Sequence, residues 1–179
     1  MLRFAAFAIC LSVASAELTP SYAQRFSAEL KALDAQLPGD LINDPTRIDW
    51  EIYGNEVSSE PVVDPSIPGG GAALQIEVRN PGEYIYVAGA NLPLIKKVDQ
   101  GDTVTVGFYA RTVSSAAADG KGVMRVRFQQ NAAPYPGFGE ETLSLSNQWD
   151  WYEVTAVAEQ ALRKKDGIVA LQFGRAKQT

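Results

Sequence analysis

The sequence predicts an all-β protein, an antiparallel β-sandwich, and three observations carry that prediction. From Leu41 onward, turn stretches rich in glycine and proline ("PSIPGGG", "NPGE", "DQGD", "ADGKG", "PYPGFG") punctuate the chain. The segments between them run about 5–9 residues and alternate apolar with polar, the period of a half-buried strand. The composition, 46% hydrophobic and 21% charged over 179 residues, is that of a globular chain. It suits one domain of roughly 130–150 residues plus a leader, which buries about two-thirds of its unfolded surface.

The first element is the leader. "MLRFAAFAICLSVASA" has a basic Arg3, an apolar stretch from Phe4 to Val13, and a small-x-small ending at Ala14-Ser15-Ala16. This is the anatomy of a secretory signal peptide over residues 1–16, with Ser21-Tyr22-Ala23 as an alternative end at 23. A secreted or periplasmic protein follows. Cys10 lies within the leader and is preceded by Ile9 rather than by the small residue a lipid-anchored cysteine requires, so the mature chain has no cysteine. Next comes an N-terminal helical segment or linker, residues 17–40. Phe26, Leu30, Leu33 and Leu37 recur at steps of three and four, Ser27 stands near the start, and "LPGD" is the stop.

Residues 41–179 form the sandwich. By parity, "ALQIEVR" sends Leu74, Ile76 and Val78 inward and Gln75, Glu77 and Arg79 outward. "TVTVGFYAR" buries Val104, Val106, Phe108 and Ala110 opposite Thr105, Tyr109 and Arg111. "VMRVRFQ" buries Met124, Val126 and Phe128 and exposes Arg125, Arg127 and Gln129. "WYEVTAVA" sets Tyr152, Val154 and Ala156 against Trp151, Glu153 and Thr155, and "IVALQFG" sets Val169, Leu171 and Phe173 against Ala170 and Gln172. Five such strands make antiparallel sheets sharing one core.

The composition also excludes chemistries. With no histidine in the chain, Ser-His and Cys-His nucleophile pairs and histidine-ligated metals are absent. Loss of Arg3 with the leader takes the formal net charge from −5 to −6. That balance disfavours capture of nucleic acid or of an anionic membrane, and no apolar run outside the leader is long enough for membrane insertion.

In order along the chain, "LINDPTRIDWEIYG", "PGGGAALQIEV", "PGEYIYVAGANLPL", "VDQGDTVTVGFYARTV", "WDWYEVT" and "IVALQFG" resemble the carbohydrate-binding modules of families 4, 9 and 22. The resemblance spans about residues 41–175. It implies a jelly-roll β-sandwich of the galactose-binding-domain-like kind, whose ligand is an oligo- or polysaccharide held on a concave face. It also implies one more strand after the "F-G" element, whereas this chain stops at "GRAKQT". The last strand is then truncated or supplied as a partner strand at the C-terminal edge. A structural calcium belongs to the same resemblance; Asn43, Asp44 and Asp49 offer oxygens, but the carboxylate expected from the missing strand is absent. No other cofactor is implied.

Sugars stack their apolar C–H face on aromatic rings, while planar polar groups bond adjacent hydroxyls. The outward parity set holds both kinds: Tyr109, Arg111, Arg125, Arg127, Gln129, Trp151 and Gln172. Tyr135, with Phe138, offers a rim platform in the loop "NAAPYPGFG", and Tyr84 and Tyr86 share a face as a second platform. The competing reading is a solvated face laced with pairs such as Arg127 and Glu153. Trp149 and Trp50 read as core. For catalysis, Glu140 and Glu141 are adjacent on a strand and point apart, and Glu77 with Glu153 has no supporting spacing. The expectation is a non-catalytic, exported carbohydrate-binding protein. Its alternatives are a cell-envelope interaction protein on the same scaffold, or a polysaccharide lyase or glycoside hydrolase.

Overall fold

In a computed structural model of the chain, residues 2–6, 31–32, 34–37, 39–45, 47, 50–68, 71–164 and 166–179 are described. The strands among them are β1 (Leu2–Ala6), β2 (Asp40–Leu41), β3 (Glu51–Tyr53), β4 (Val57–Val63), β5 (Ala72–Val78), β6 (Gly89–Pro93), β7 (Thr103–Ala110), β8 (Gly122–Gln130), β9 (Gly137–Leu145), β10 (Asp150–Val157) and β11 (Gly167–Gln172). All five strands anticipated from alternation form. The cleavage sites, Cys10, Asp49 and the helix residues Phe26, Leu30 and Leu33 lie outside the described residues. Lys31, Ala32 and Asp34 are helical. Asp34 ties that turn to the sandwich by accepting from the Leu41 amide and from Lys96, and both contacts hold its carboxyl below the usual aspartate value.

One sheet has the order β3-β6-β11-β8-β9, antiparallel throughout. Facing it are β10 and β7, an antiparallel pair, and the separate hairpin β4-β5. Within the expected leader, β1 runs parallel to β7, Leu2 beside Thr103 and Ala6 beside Gly107, with β2 on its other side. The core lies between the layers, where Val104, Val106, Val126, Phe128 and Val169 are fully buried. No described helix is long and apolar enough to cross a membrane.

A bulge in β9 decides what the five-stranded sheet displays. Val126 pairs Glu141 but Phe128 pairs Phe138, so the register shifts between them, and Gly139 sits there at φ +67. Glycine adopts that left-handed conformation at no steric penalty. Regular alternation would place Phe138 and Glu140 on one face. The bulge instead turns Phe138 into the core, 4% exposed and stacked on Phe128 at 5.6 Å, while Glu140 points outward to Arg125. Phe138 is therefore not a rim platform.

Candidate ligand-binding face

Strand register lines up the outer face of the five-stranded sheet in rows. One row is Tyr53, Gly89, Gln172, Arg125 and Thr142; the next is Glu51, Asn91, Ala170 and Arg127; the third is Pro93, Ile168, Gln129 and Gly137. The first two rows put small or flat residues among planar polar ones. Gly89 is required by contact: a Cβ there would meet the Tyr53 hydroxyl and the Leu171 carbonyl, each at 2.6 Å. Tyr53 thus lies flat across β6 and reaches Gln172, and burial raises its pKa above the ordinary tyrosine value.

Arg125 is the organising group. Its Nε and Nη2 donate to Gln172 Oε1 at 2.8 and 2.5 Å, and its Nη1 donates to Glu140 Oε1 at 2.9 Å. The guanidinium also lies 5.9 Å from the Tyr86 ring centre, and Tyr86 stacks on Tyr84 at 5.2 Å with planes 8° apart. Both tyrosines are half exposed, giving an aromatic surface adjoining the polar rows. Arg127 meets the same carboxylate loosely, Nη1 to Glu140 Oε2 at 3.9 Å. Across the sheet, Glu51 Oε2 accepts from Asn91 at 2.9 Å and from Asn131 at 3.1 Å. The second bond draws the loop after β8 over the face. Tyr135 in that loop is half exposed at φ +57.

The residues expected from sequence divide between two surfaces. Arg125, Arg127, Gln129 and Gln172 stand together, and Tyr135 rises from the adjoining loop. Tyr109, Arg111 and Trp151 do not join them, because β7 and β10 belong to the opposite layer and their outward side chains face away. There Trp151 meets Tyr109 edge-on at 5.1 Å and lies on Gly107, where a Cβ would sit inside the indole. Arg111 stacks on Trp149 at 5.1 Å, and Trp149 is only partly buried. Outward direction is also not exposure, since Gln129 is 6% and Gln172 4% exposed, covered by their neighbours. Gln129 Oε1 has no partner among the described residues. The pair imagined between Arg127 and Glu153 does not form, because Glu153 is on β10 opposite Gly107.

Three groups of the face escaped sequence reasoning. Tyr53 and Asn91 sit on strands too short for alternation to show, and Glu140 depends on the bulge. For calcium, Asn43 has a buried, unpartnered Oδ1, but among the described residues no three acidic, histidine or cysteine side chains cluster.

The architecture, an antiparallel five-stranded sheet facing a second layer over one core, is a β-sandwich fold shared with a carbohydrate-binding module. In particular, the chain is similar to a CBM4 structure with a TM-score of 0.54 and 21% identity, over 72% of this chain and 83% of the other. It is also similar to an arabinose-bound MgGH51 α-L-arabinofuranosidase with a TM-score of 0.56 and 14% identity, over 76% of this chain but 22% of that enzyme. The N-terminal cellulose-binding domain of Cellulomonas fimi β-1,4-glucanase C is a more distant likeness, TM-score 0.48 at 20% identity over 72% of this chain and 80% of that domain. At these identities the likeness is one of fold. No protein-family profile and no curated protein sequence matches the chain.

Proposed function

We propose that this is an exported, non-catalytic carbohydrate-binding protein that captures an oligo- or polysaccharide on the outer face of its five-stranded sheet. The observation that carries the reading is the constellation around Arg125. A guanidinium locked by Gln172 and Glu140 adjoins the stacked Tyr84–Tyr86 pair, above a floor kept low by Gly89 and Ala170. Flat rings beside prepositioned planar donors are what a pyranose needs on its two kinds of surface. The leader-like start of the sequence supports export.

Catalysis is disfavoured by spacing. Among the described residues, the carboxylates placed on this face, Glu51 on β3 and Glu140 on β9, lie four strands apart, which at about 4.8 Å per strand is about 19 Å between backbones. Glycoside hydrolysis needs its pair within about 5–10 Å. Affinity electrophoresis against a panel of soluble neutral and acidic glycans, with and without calcium, tests the reading. Retardation by at least one glycan is expected, and none with any glycan overturns it.

A further inference from the structure

Arg125 and Arg127 stand two apart on β8 and point to the same outer face, yet their surroundings differ. Arg125 is engaged from within: Nε and Nη2 donate to Gln172 Oε1, and Nη1 donates to Glu140 Oε1. The Arg127 guanidinium makes no hydrogen bond among the described residues. The one carboxylate within 4 Å of it there is Glu140, whose Oε2 lies 3.9 Å from Nη1, beyond hydrogen-bond reach. That carboxylate already serves Arg125. The Arg127 side chain is nevertheless only 26% exposed. Its Nε lies beside Gly137, where a Cβ would sit 2.8 Å away. Glycine gives the guanidinium room without giving it an acceptor.

Charge on this half of the face is unbalanced in the same sense. The outward side chains of β8 and β9 include two guanidiniums and one carboxylate, because Glu141 pairs with the core residue Val126 and so points the other way. Glu51 stands on the far strand of the sheet and already accepts from Asn91 and Asn131. One positive charge is left over. The whole chain carries a formal net charge of −5, so this excess is local and the protein is no general binder of anions. The described residues on either side of the stretch 7–30 belong to the opposite layer, β1 beside β7 and Asp34 bonded to Leu41 of β2. They bring no acceptor to Arg127.

We propose that the ligand of this face is an acidic glycan containing uronic acid, and that Arg127 selects it by pairing with the uronate carboxylate. The inference rests on the sugar-binding reading above and narrows it to a substrate class. A planar carboxylate presents two oxygens to the guanidinium fork, the geometry of a bidentate pair. Its one negative charge balances the one positive charge in excess. A neutral sugar that covered Arg127 would strip water from the guanidinium and return only hydroxyl contacts, which leaves the charge uncompensated. Arg125, anchored by Gln172 and Glu140, holds the face in shape, whereas Arg127 discriminates.

Isothermal titration calorimetry on the full chain tests the proposal with hexasaccharides of galacturonate, mannuronate and glucuronate. Each is compared with its carboxyl-reduced form, which keeps the linkage and removes the charge. At least one uronide is expected to bind about tenfold or more tightly than its reduced form, the effect of one charge-assisted pair. Arg127→Gln abolishes that difference, and Arg127→Lys, which keeps the charge but not the fork, retains only part of it. Glu140→Gln removes the competing carboxylate, so it tightens the uronide and not the reduced form. Should Arg127→Gln fail to fold, the other two variants decide the matter. Reduced forms bound as tightly as the uronides, or a uronide preference unchanged in the Arg127 variants, overturn this inference and leave the sugar-binding reading intact. Absence of binding by every oligosaccharide, acidic or neutral, overturns both.

Discussion

Replacing Gln172 by leucine asks what holds Arg125 in place. Gln172 is 4% exposed and its Oε1 accepts from two guanidinium nitrogens. A hydrogen bond to a charged group contributes about 1.5–3 kcal/mol, and two donors sharing one oxygen count as little more than one such bond. The Glu140 contact is as short, but that carboxylate side chain is 48% exposed, and solvent screening reduces its contribution to roughly 0–1 kcal/mol. Gln172→Leu therefore destabilises by about 2–3 kcal/mol and Glu140→Gln by less than about 1 kcal/mol. For a domain of this size that corresponds to a fall in thermal midpoint of about 5–10 °C against about 3 °C or less. Calorimetry of both variants provides the comparison. A smaller fall for Gln172→Leu than for Glu140→Gln would show that Arg125 is held by the carboxylate at the surface and is not prepositioned from below.

Phe138→Ala removes a ring buried against Phe128 and lowers stability by about 3–5 kcal/mol, measured by denaturant unfolding. A loss near zero would place the ring in the loop rather than in the core. Tyr53 titrates late, because burial favours its neutral form. The folded state then keeps a proton the unfolded chain releases, so the Tyr53 contribution to stability is intact below pH 10 and is lost as pH rises above 10. Spectrophotometric titration shows a tyrosine step above the ordinary value, and Tyr53→Phe removes that step. Persistence of the step in that variant would assign it elsewhere.

Alternation in the sequence made the core legible. Val104, Val106, Val126, Phe128 and Val169 follow from period two alone, and all are fully buried. Two strands were hidden for physical reasons. β4 carries Pro61 in mid-strand, which only an edge strand tolerates, and β9 breaks its own period at the Gly139 bulge. The candidate site was half legible because parity reports whether a side chain faces the core, not which layer its strand joins. In a sandwich the two outward directions are opposite, so Tyr109, Arg111 and Trp151 satisfy the same pattern as Arg125, Arg127 and Gln172 on the other side of the molecule. Tyr53 and Asn91 were not legible at all, since three- and five-residue strands carry too few alternations to register.

That division into two faces permits a direct test. On gels containing a glycan that retards the parent chain, Tyr86→Ala and Arg127→Ala are compared with Trp151→Ala, all three with thermal midpoints measured alongside. Binding on the five-stranded sheet requires that the first two lose retardation by about tenfold or more in affinity, the loss of about 1.4 kcal/mol, while Trp151→Ala migrates as the parent does. Loss confined to Trp151→Ala, with Tyr86→Ala and Arg127→Ala unchanged, would move the site to the opposite face and contradict the account.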